Sequence, residues 1–194
     1  MRIATIDVGT NSTRLLVADV VNGEVKQLFK TGRVTRLGRG VKRSGRLSRE
    51  GIDETLKALR EFKNLLENYS PDRVVVVTTE AARLADNSEE FLSRVRELGF
   101  EIELLPERQE AELVFRANLL HFKPSGKAMT IDLGGGSTEI VFGDVSGIEL
   151  LRSLKFGVVF LHESFLKSDP PERGELLSME SFIEEELKPI RESI

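Results

Sequence analysis

Shifted against itself by 125 positions, the chain matches its own opening. Thr5-Ile6-Asp7-Val8-Gly9-Thr10-Asn11-Ser12-Thr13 falls on Thr130-Ile131-Asp132-Leu133-Gly134-Gly135-Gly136-Ser137-Thr138, and identity continues at Asp19/Asp144, Val20/Val145 and Glu24/Glu149. Nine of the twenty positions from Thr5 to Glu24 are identical without a gap. Each copy reads as strand, glycine turn, strand, strand, so a duplicated βββ opening is the natural explanation.

The two copies share one chemistry. An aspartate (Asp7, Asp132) ends a strand, a Gly-rich turn follows, and Ser-Thr opens the next strand. Glycine lets backbone N–H groups approach a ligand closely, and consecutive N–H groups in such a turn form an anion-binding concavity. The aspartate repels phosphate but can hold a divalent cation, directly or through water, and the cation can bind phosphate oxygens. A single copy reads equally well as a tight hairpin, with Gly for geometry and Asp for a turn hydrogen bond. Two matched copies favour a clamp that grips one phosphate chain from both sides of a cleft.

The rest of the chain alternates strands and helices. Residues 2–8, 13–21 and 24–31 read as strands, with Asn22-Gly23 as a hairpin turn. Residues 32–47 read as a loop whose basic residues, Arg33, Arg36, Arg39, Lys42, Arg43 and Arg46, either guide a long polyanion or are simply solvated. Ser48 caps a helix with apolar positions Ile52, Leu56, Leu59, Phe62 and Leu66. Val74–Val77 reads as a parallel strand buried on both faces. Asn87 and Glu90 read as a capping box for a helix ending before Gly99. A strand near 101–105 leads to a helix from Pro106 to about 120, and Lys123-Pro124-Ser125-Gly126 reads as a linker. Strands over about 127–133, 138–143 and 148–154 and helices over about 158–167 and 178–193 complete the chain. The order βββ-α-β-α-β-α, then βββ-α-α, is an α/β arrangement with mixed sheets. The expected domains are 1–122 and 127–194.

Composition bounds the chemistry. The chain has no cysteine, so thiolate zinc sites and cysteine nucleophiles are excluded. A net charge of −4 argues against a nucleic-acid partner recognised through a general positive field, though a small anion needs only a local site. No apolar run approaches the roughly 18 residues of a membrane span, and Met1-Arg2-Ile3-Ala4 leads into a strand with no cleavable signal. A soluble, cytoplasmic protein with no membrane partner is expected.

Asp7-Val8-Gly9-Thr10-Asn11-Ser12 and Asp132-Leu133-Gly134-Gly135-Gly136-Ser137 resemble the two phosphate motifs of the actin/sugar-kinase/heat-shock-70 superfamily. The wording is closest to its exopolyphosphatase/guanosine-pentaphosphatase (Ppx/GppA) branch. Arg36-Leu37-Gly38-Arg39-Gly40, Thr79–Asn87, Gln109-Glu110-Ala111-Glu112-Leu113 and Ser153-Leu154-Lys155-Phe156-Gly157 resemble further segments of that branch, in order along nearly the whole chain. The resemblance implies a duplicated actin-like (ribonuclease H-like) βββαβαβα fold whose second domain is incomplete here. It implies hydrolysis of the terminal phosphate of inorganic polyphosphate, or of guanosine pentaphosphate, with magnesium.

The resemblance also implies residue roles. Glu110 falls on the catalytic base, Arg83 on a phosphate-contacting arginine, Asp132 on the second acidic residue and Asp7 on the aspartate of the first phosphate motif; Asp7 and Asp132 are the candidate metal holders. Gly9, Thr10, Asn11 and Ser12, with Gly134, Gly135, Gly136, Ser137 and Thr138, fall on the phosphate turns. Alone, Arg83 would read as a surface ion-pair former and Glu110 as part of a solvated helix face. Gln109 stands where the family often has a first Glu, Glu80 replaces a frequent Ser, and Pro106-Glu107 replaces Ser-Gly. A small-molecule kinase of the same superfamily and a non-catalytic polyphosphate or alarmone sensor remain as alternatives. An open sheet edge in the second half is expected to pair with another subunit, as in a homodimer, or to leave residues after about 125 less ordered.

Overall fold

Alternating Ala4, Ile6 and Val8 on β1 (Arg2–Val8) place one buried stripe on the strand's inner face, and Leu15 and Val17 on β2 (Ser12–Val21) continue it. β1, β2 and β3 (Glu24–Val34) form an antiparallel meander, with Asn22-Gly23 turning left-handed between β2 and β3. In the computed structural model, which describes residues 1–193, this meander is the edge of a five-stranded mixed sheet. The strand order is β3-β2-β1-β4-β5, with β4 (Arg73–Thr78) and β5 (Ile102–Leu104) parallel to β1.

The buried stripe packs under α2 (Arg49–Glu67), whose Ile52, Leu56, Leu59, Phe62 and Leu66 are all buried, and under α4 (Ser88–Glu97) through Phe91 and Val95. Ser48 caps α2 as expected, accepting from the Gly51 N–H at 3.1 Å. Val74–Val77 is a parallel strand, but Val76 alone of the four is fully buried and Val74 is exposed, so the apolar run does not mean burial on both faces. Asn87 makes no side-chain cap for α4; its amide instead clasps Leu47, accepting from the Leu47 N–H at 2.8 Å and donating to the Leu47 carbonyl at 3.2 Å. Two short helices, α1 (Val41–Ser44) and α3 (Glu80–Leu84), fill the connections.

The chain divides into two compact units, Met1–Pro106 and Glu107 onward. The division precedes the boundary expected at residue 122, because α5 (Glu107–Phe122) lays Ala111 and Phe115 against Val141 of the second sheet. That sheet is an antiparallel meander, β6-β7-β8 (Ala128–Leu133, Thr138–Asp144 and Gly147–Leu154). Its β7 carries a register shift at Phe142/Gly143; β2 carries one at Val17/Ala18. These positions correspond across the 125-residue offset, so the repeat extends to an irregularity of the pairing. β6 is an edge strand among the described residues, with Met129, Ile131 and Leu133 exposed along one face.

Two helices follow, α6 (Val158–Phe165) and α7 (Arg173–Arg191). α7 begins earlier than the expected residue 178 because Glu172 and Glu175 form a reciprocal capping box. Phe182 of α7 meets Phe156, Phe160 and Phe165, with ring centroids 5.2–5.7 Å apart. No helix among the described residues is long and apolar enough to cross a membrane.

Two outcomes test this architecture. Phe62→Ala should cost about 3–5 kcal/mol, as expected for an aromatic deletion from a packed core; a denaturant-midpoint change equivalent to less than about 1 kcal/mol would contradict the placement. The Glu175 carboxylate accepts from the Ser168 hydroxyl and from the Glu172 and Lys167 N–H groups, which pulls its pKa down from 4.5 to about 2. A depressed carboxylate stabilises the fold fully above its ordinary pKa, and that contribution fades as pH falls toward the folded value. Thermal midpoints of the wild type and Glu175→Gln should therefore converge between pH 4.5 and about 2; a gap that does not change with pH would count against the carboxylate.

Candidate functional site

In the first unit, β1 ends in a turn that the Gly9 N–H closes by donating to the Ser12 carbonyl at 3.0 Å. Thr10 and Asn11 form its tip. Their carbonyls anchor the following loop: Gly38 N–H donates to Thr10 O at 2.8 Å, and the Thr35 and Arg36 N–H groups donate to Asn11 O at 3.1 and 3.0 Å. Gly38 is required here, since a Cβ would stand 2.3 Å from Thr10 Cγ2. Beneath the turn, the Thr13 and Thr35 hydroxyls share a buried hydrogen bond of 3.0 Å.

The second turn has the same closure. Gly134 N–H donates to Ser137 O at 2.9 Å, and Ser137, Thr138 and Gly136 are buried. Its support differs. Val158 and Val159, opening α6, donate their N–H groups to Gly134 O and Gly135 O at 2.9 and 2.8 Å, and the Thr138 hydroxyl donates to Phe156 O at 2.7 Å. Gly157 lies flat against the turn: a Cβ there would be 2.5 Å from Gly134 O and 2.6 Å from Gly136 N.

The expected acidic and basic residues distribute between these two turns. Asp7 lies half-buried in β1, one residue from its end, facing Arg14 across the β1–β2 pair; Asp132 is placed likewise in β6, facing Glu139. Arg83 belongs to the first unit. The parallel pair β1–β4 ends with the Thr78 hydroxyl donating to Val8 O at 3.0 Å, so α3 starts at the strand ends where the Gly9 turn sits. Arg83 donates from Nη1 to Leu105 O at 2.6 Å, which orients its guanidinium on that side of the sheet. Glu110 belongs to the second unit, half-exposed in the first turn of α5. Glu107, three residues earlier on the same helical face, pairs with Lys155 at 3.7 Å. Lys155 directly precedes the Phe156-Gly157 segment that backs the second turn, so Glu110, Asp132 and residues 134–138 lie toward one end of this unit.

Sequence reasoning passed over two buried carboxylates. Glu139, in β7 beside the second turn, accepts from the Ser153 hydroxyl at 2.9 Å. A charge inside the apolar run Thr138–Phe142 is the signal that marks it. Glu80 was noted only as a departure from the family pattern. It is buried, with Oε1 3.1 Å from the Lys42 ammonium and Oε2 lacking a hydrogen-bond partner. Among the described residues no three His, Cys, Asp or Glu side chains cluster into a metal cage. One or two carboxylates beside such glycine turns is a donor set that would suit magnesium, which keeps most of its waters and takes substrate oxygens.

Comparison with known proteins finds relatives of this chain in both sequence and fold. A model of the Ppx/GppA phosphatase family matches residues 16–194. The Mycobacterium tuberculosis protein named exopolyphosphatase 2 is 37% identical over 199 residues, covering 97% of this chain and 62% of its own length. An Aeromonas hydrophila guanosine-5'-triphosphate,3'-diphosphate pyrophosphatase is 37% identical over 157 residues, covering 80% of this chain and 32% of its own. The crystal structure of the Aquifex aeolicus Ppx/GppA family member superposes with a TM-score of 0.79 at 41% identity, over 98% of this chain and 62% of that one. The chain belongs to the Ppx/GppA phosphatase family. It spans less than two thirds of the length of these relatives.

Gly157→Ala should force the second turn out of register and destabilise the second unit by about 1–3 kcal/mol, as overpacking does. Amide chemical shifts of residues 134–138 would move most; shifts confined to residues 156–158 would mean that the turn does not depend on this contact.

Proposed function

We propose that the protein is a phosphohydrolase that removes the terminal phosphate of inorganic polyphosphate by attack of water on the phosphoanhydride. The observation that carries this reading is the repeated turn: two Gly-to-Ser closures within 0.1 Å of each other (3.0 and 2.9 Å), each one residue beyond an aspartate-bearing strand end, in a chain of the Ppx/GppA phosphatase family. Turns of this kind grip phosphate oxygens through backbone amides and hydroxyls: Gly9, Thr10, Asn11 and Ser12 in one unit, Gly134–Thr138 in the other.

Phosphoryl transfer asks for charge neutralisation and a positioned nucleophile more than for covalent chemistry. Glu110 takes the proton from the attacking water. Arg83, its guanidinium aimed by the Leu105 carbonyl, offers planar donors to a phosphate oxygen. Asp7 in the first unit and Asp132 in the second are each candidates to hold magnesium, which would supply positive charge to phosphate oxygens when bound. Guanosine pentaphosphate is the second reading, favoured by the likeness to the Aeromonas pyrophosphatase; both substrates end in the same group.

Phosphate release from long-chain polyphosphate with magnesium tests the proposal directly. Release should stop on chelation and fall at least about 100-fold in Glu110→Gln, the scale of a lost general base. Undiminished release by the variant would remove Glu110 from the role. Release from guanosine pentaphosphate alone would select the second reading.

A further inference from the structure

Between Lys30 and Arg49 the chain carries eight basic residues and no acidic one, leaving 20 basic against 32 acidic residues elsewhere. The segment is held in place rather than draped over the surface. Leu37, Val41 and Leu47 are buried in the main core, Asn87 clasps the Leu47 backbone, and Lys42 is pinned to the buried Glu80. At its near end the segment is bonded to the tip of the first turn through the Thr35, Arg36 and Gly38 amides. Arg36 itself adopts φ 51°, a left-handed conformation that costs an arginine energy and persists only where the surroundings impose it.

The side chains point elsewhere than to protein partners. Arg36, Arg39, Arg43 and Arg46 are exposed, and none takes part in the ion pairs among the described residues, although Arg33 and Lys42 in the same run do. Unneutralised cations on a rigid loop are a surface for a flexible polyanion. No aromatic residue occurs between Phe29 and Phe62. The loop therefore has no platform for base stacking, which single-stranded nucleic-acid sites require. What remains is recognition of charge alone along a chain of phosphates.

We propose that Arg36, Arg39, Arg43 and Arg46 form a track that leads away from the first glycine turn and binds the body of a long polyphosphate chain, making chain length a determinant of affinity. The proposal rests on the reading of the turns as phosphate grips. It distinguishes substrates that share a terminal group: a long chain reaches the arginines, and a short one stops at the turn.

The test is equilibrium binding of long-chain polyphosphate and of tripolyphosphate to the whole chain, across a salt series. In the triple variant Arg39→Gln, Arg43→Gln, Arg46→Gln, long-chain affinity in 0.1 M salt should fall on the order of ten- to hundredfold, and the log–log salt slope should shrink by about 2. Glutamine keeps the side-chain stems and removes the charge. The control Lys57→Gln, Arg60→Gln, on the exposed face of α2, should leave long-chain binding unchanged. An unaltered long-chain affinity and slope in the triple variant would overturn the track, as would an equal loss in the control. Single-stranded RNA of matched charge binding as tightly as polyphosphate would also overturn it, replacing it with a nucleic-acid surface. Failure of the wild-type chain to bind tripolyphosphate would instead count against the turns, and the track would still be judged on the long-chain response.

Discussion

A hydrogen bond from a glycine N–H to a serine carbonyl three residues on shapes both halves of this molecule. It folds the chain back at the end of a strand, and with no side chain on the glycine the carbonyl can come that close: a Cβ on Gly9 or Gly134 would meet the serine oxygen at 3.2 or 3.1 Å. Everything nearby is arranged around that reversal. The basic loop docks on the first turn through Thr10 and Asn11, and α6 starts on the carbonyls of the second. Each docking contact has a second glycine: a Cβ on Gly38 would meet the Thr10 and Ala81 side chains, and one on Gly157 would meet the backbone of the second turn.

The two units differ in how much core stands behind their turns. In the first, Phe62, Phe91, Leu59 and Ile6 belong to one continuous buried cluster under α2 and α4. In the second, one cluster joins buried Ala111, Phe115 and Val141 with partly buried Leu119, Ile148 and Leu151, and Ile140, Phe156, Leu161 and Ile190 are buried outside it. Hydrophobic stabilisation scales with apolar area removed from water, so the second unit depends more on its local devices: the Glu172–Glu175 capping box and the aromatic contacts around Phe182. Its turn is thus supported mainly by hydrogen bonds and close backbone packing.

Much of this was legible in the residues. The offset of 125 located both turns, and helical spacing from Ile52 to Leu66 placed α2 with its cap. What escaped was decided by tertiary partners. Asn87 has the identity and spacing of a capping residue, yet its amide is claimed by the backbone of Leu47, forty residues away in sequence. The valines of β4 look alike in the sequence, yet Val74 and Val76 share one face and differ: Val76 is buried in the core, while Val74, near the start of the strand, is exposed. α5 reads as the end of the first domain because a linker-like segment follows it, whereas its apolar positions Ala111 and Phe115 match the second sheet. In each unit the repeat forms the strand, glycine turn and strand that its motif implied. The buried Glu80 carries no local pattern and emerges only from packing, whereas Glu139 is marked by its place inside an apolar run.

The duplication also gives the molecule an internal control. A twenty-residue stretch with nine identities recurs without insertion, down to the register shift at Val17/Ala18 and Phe142/Gly143, while the supports behind the two turns are unlike: a cationic loop for one, a helix start for the other. Ser12 and Ser137 therefore occupy the same position in the same turn within different surroundings. A given substitution made at both isolates what the surroundings contribute, and any divergence between the pair measures how far two ancestral equals have been specialised by their neighbours.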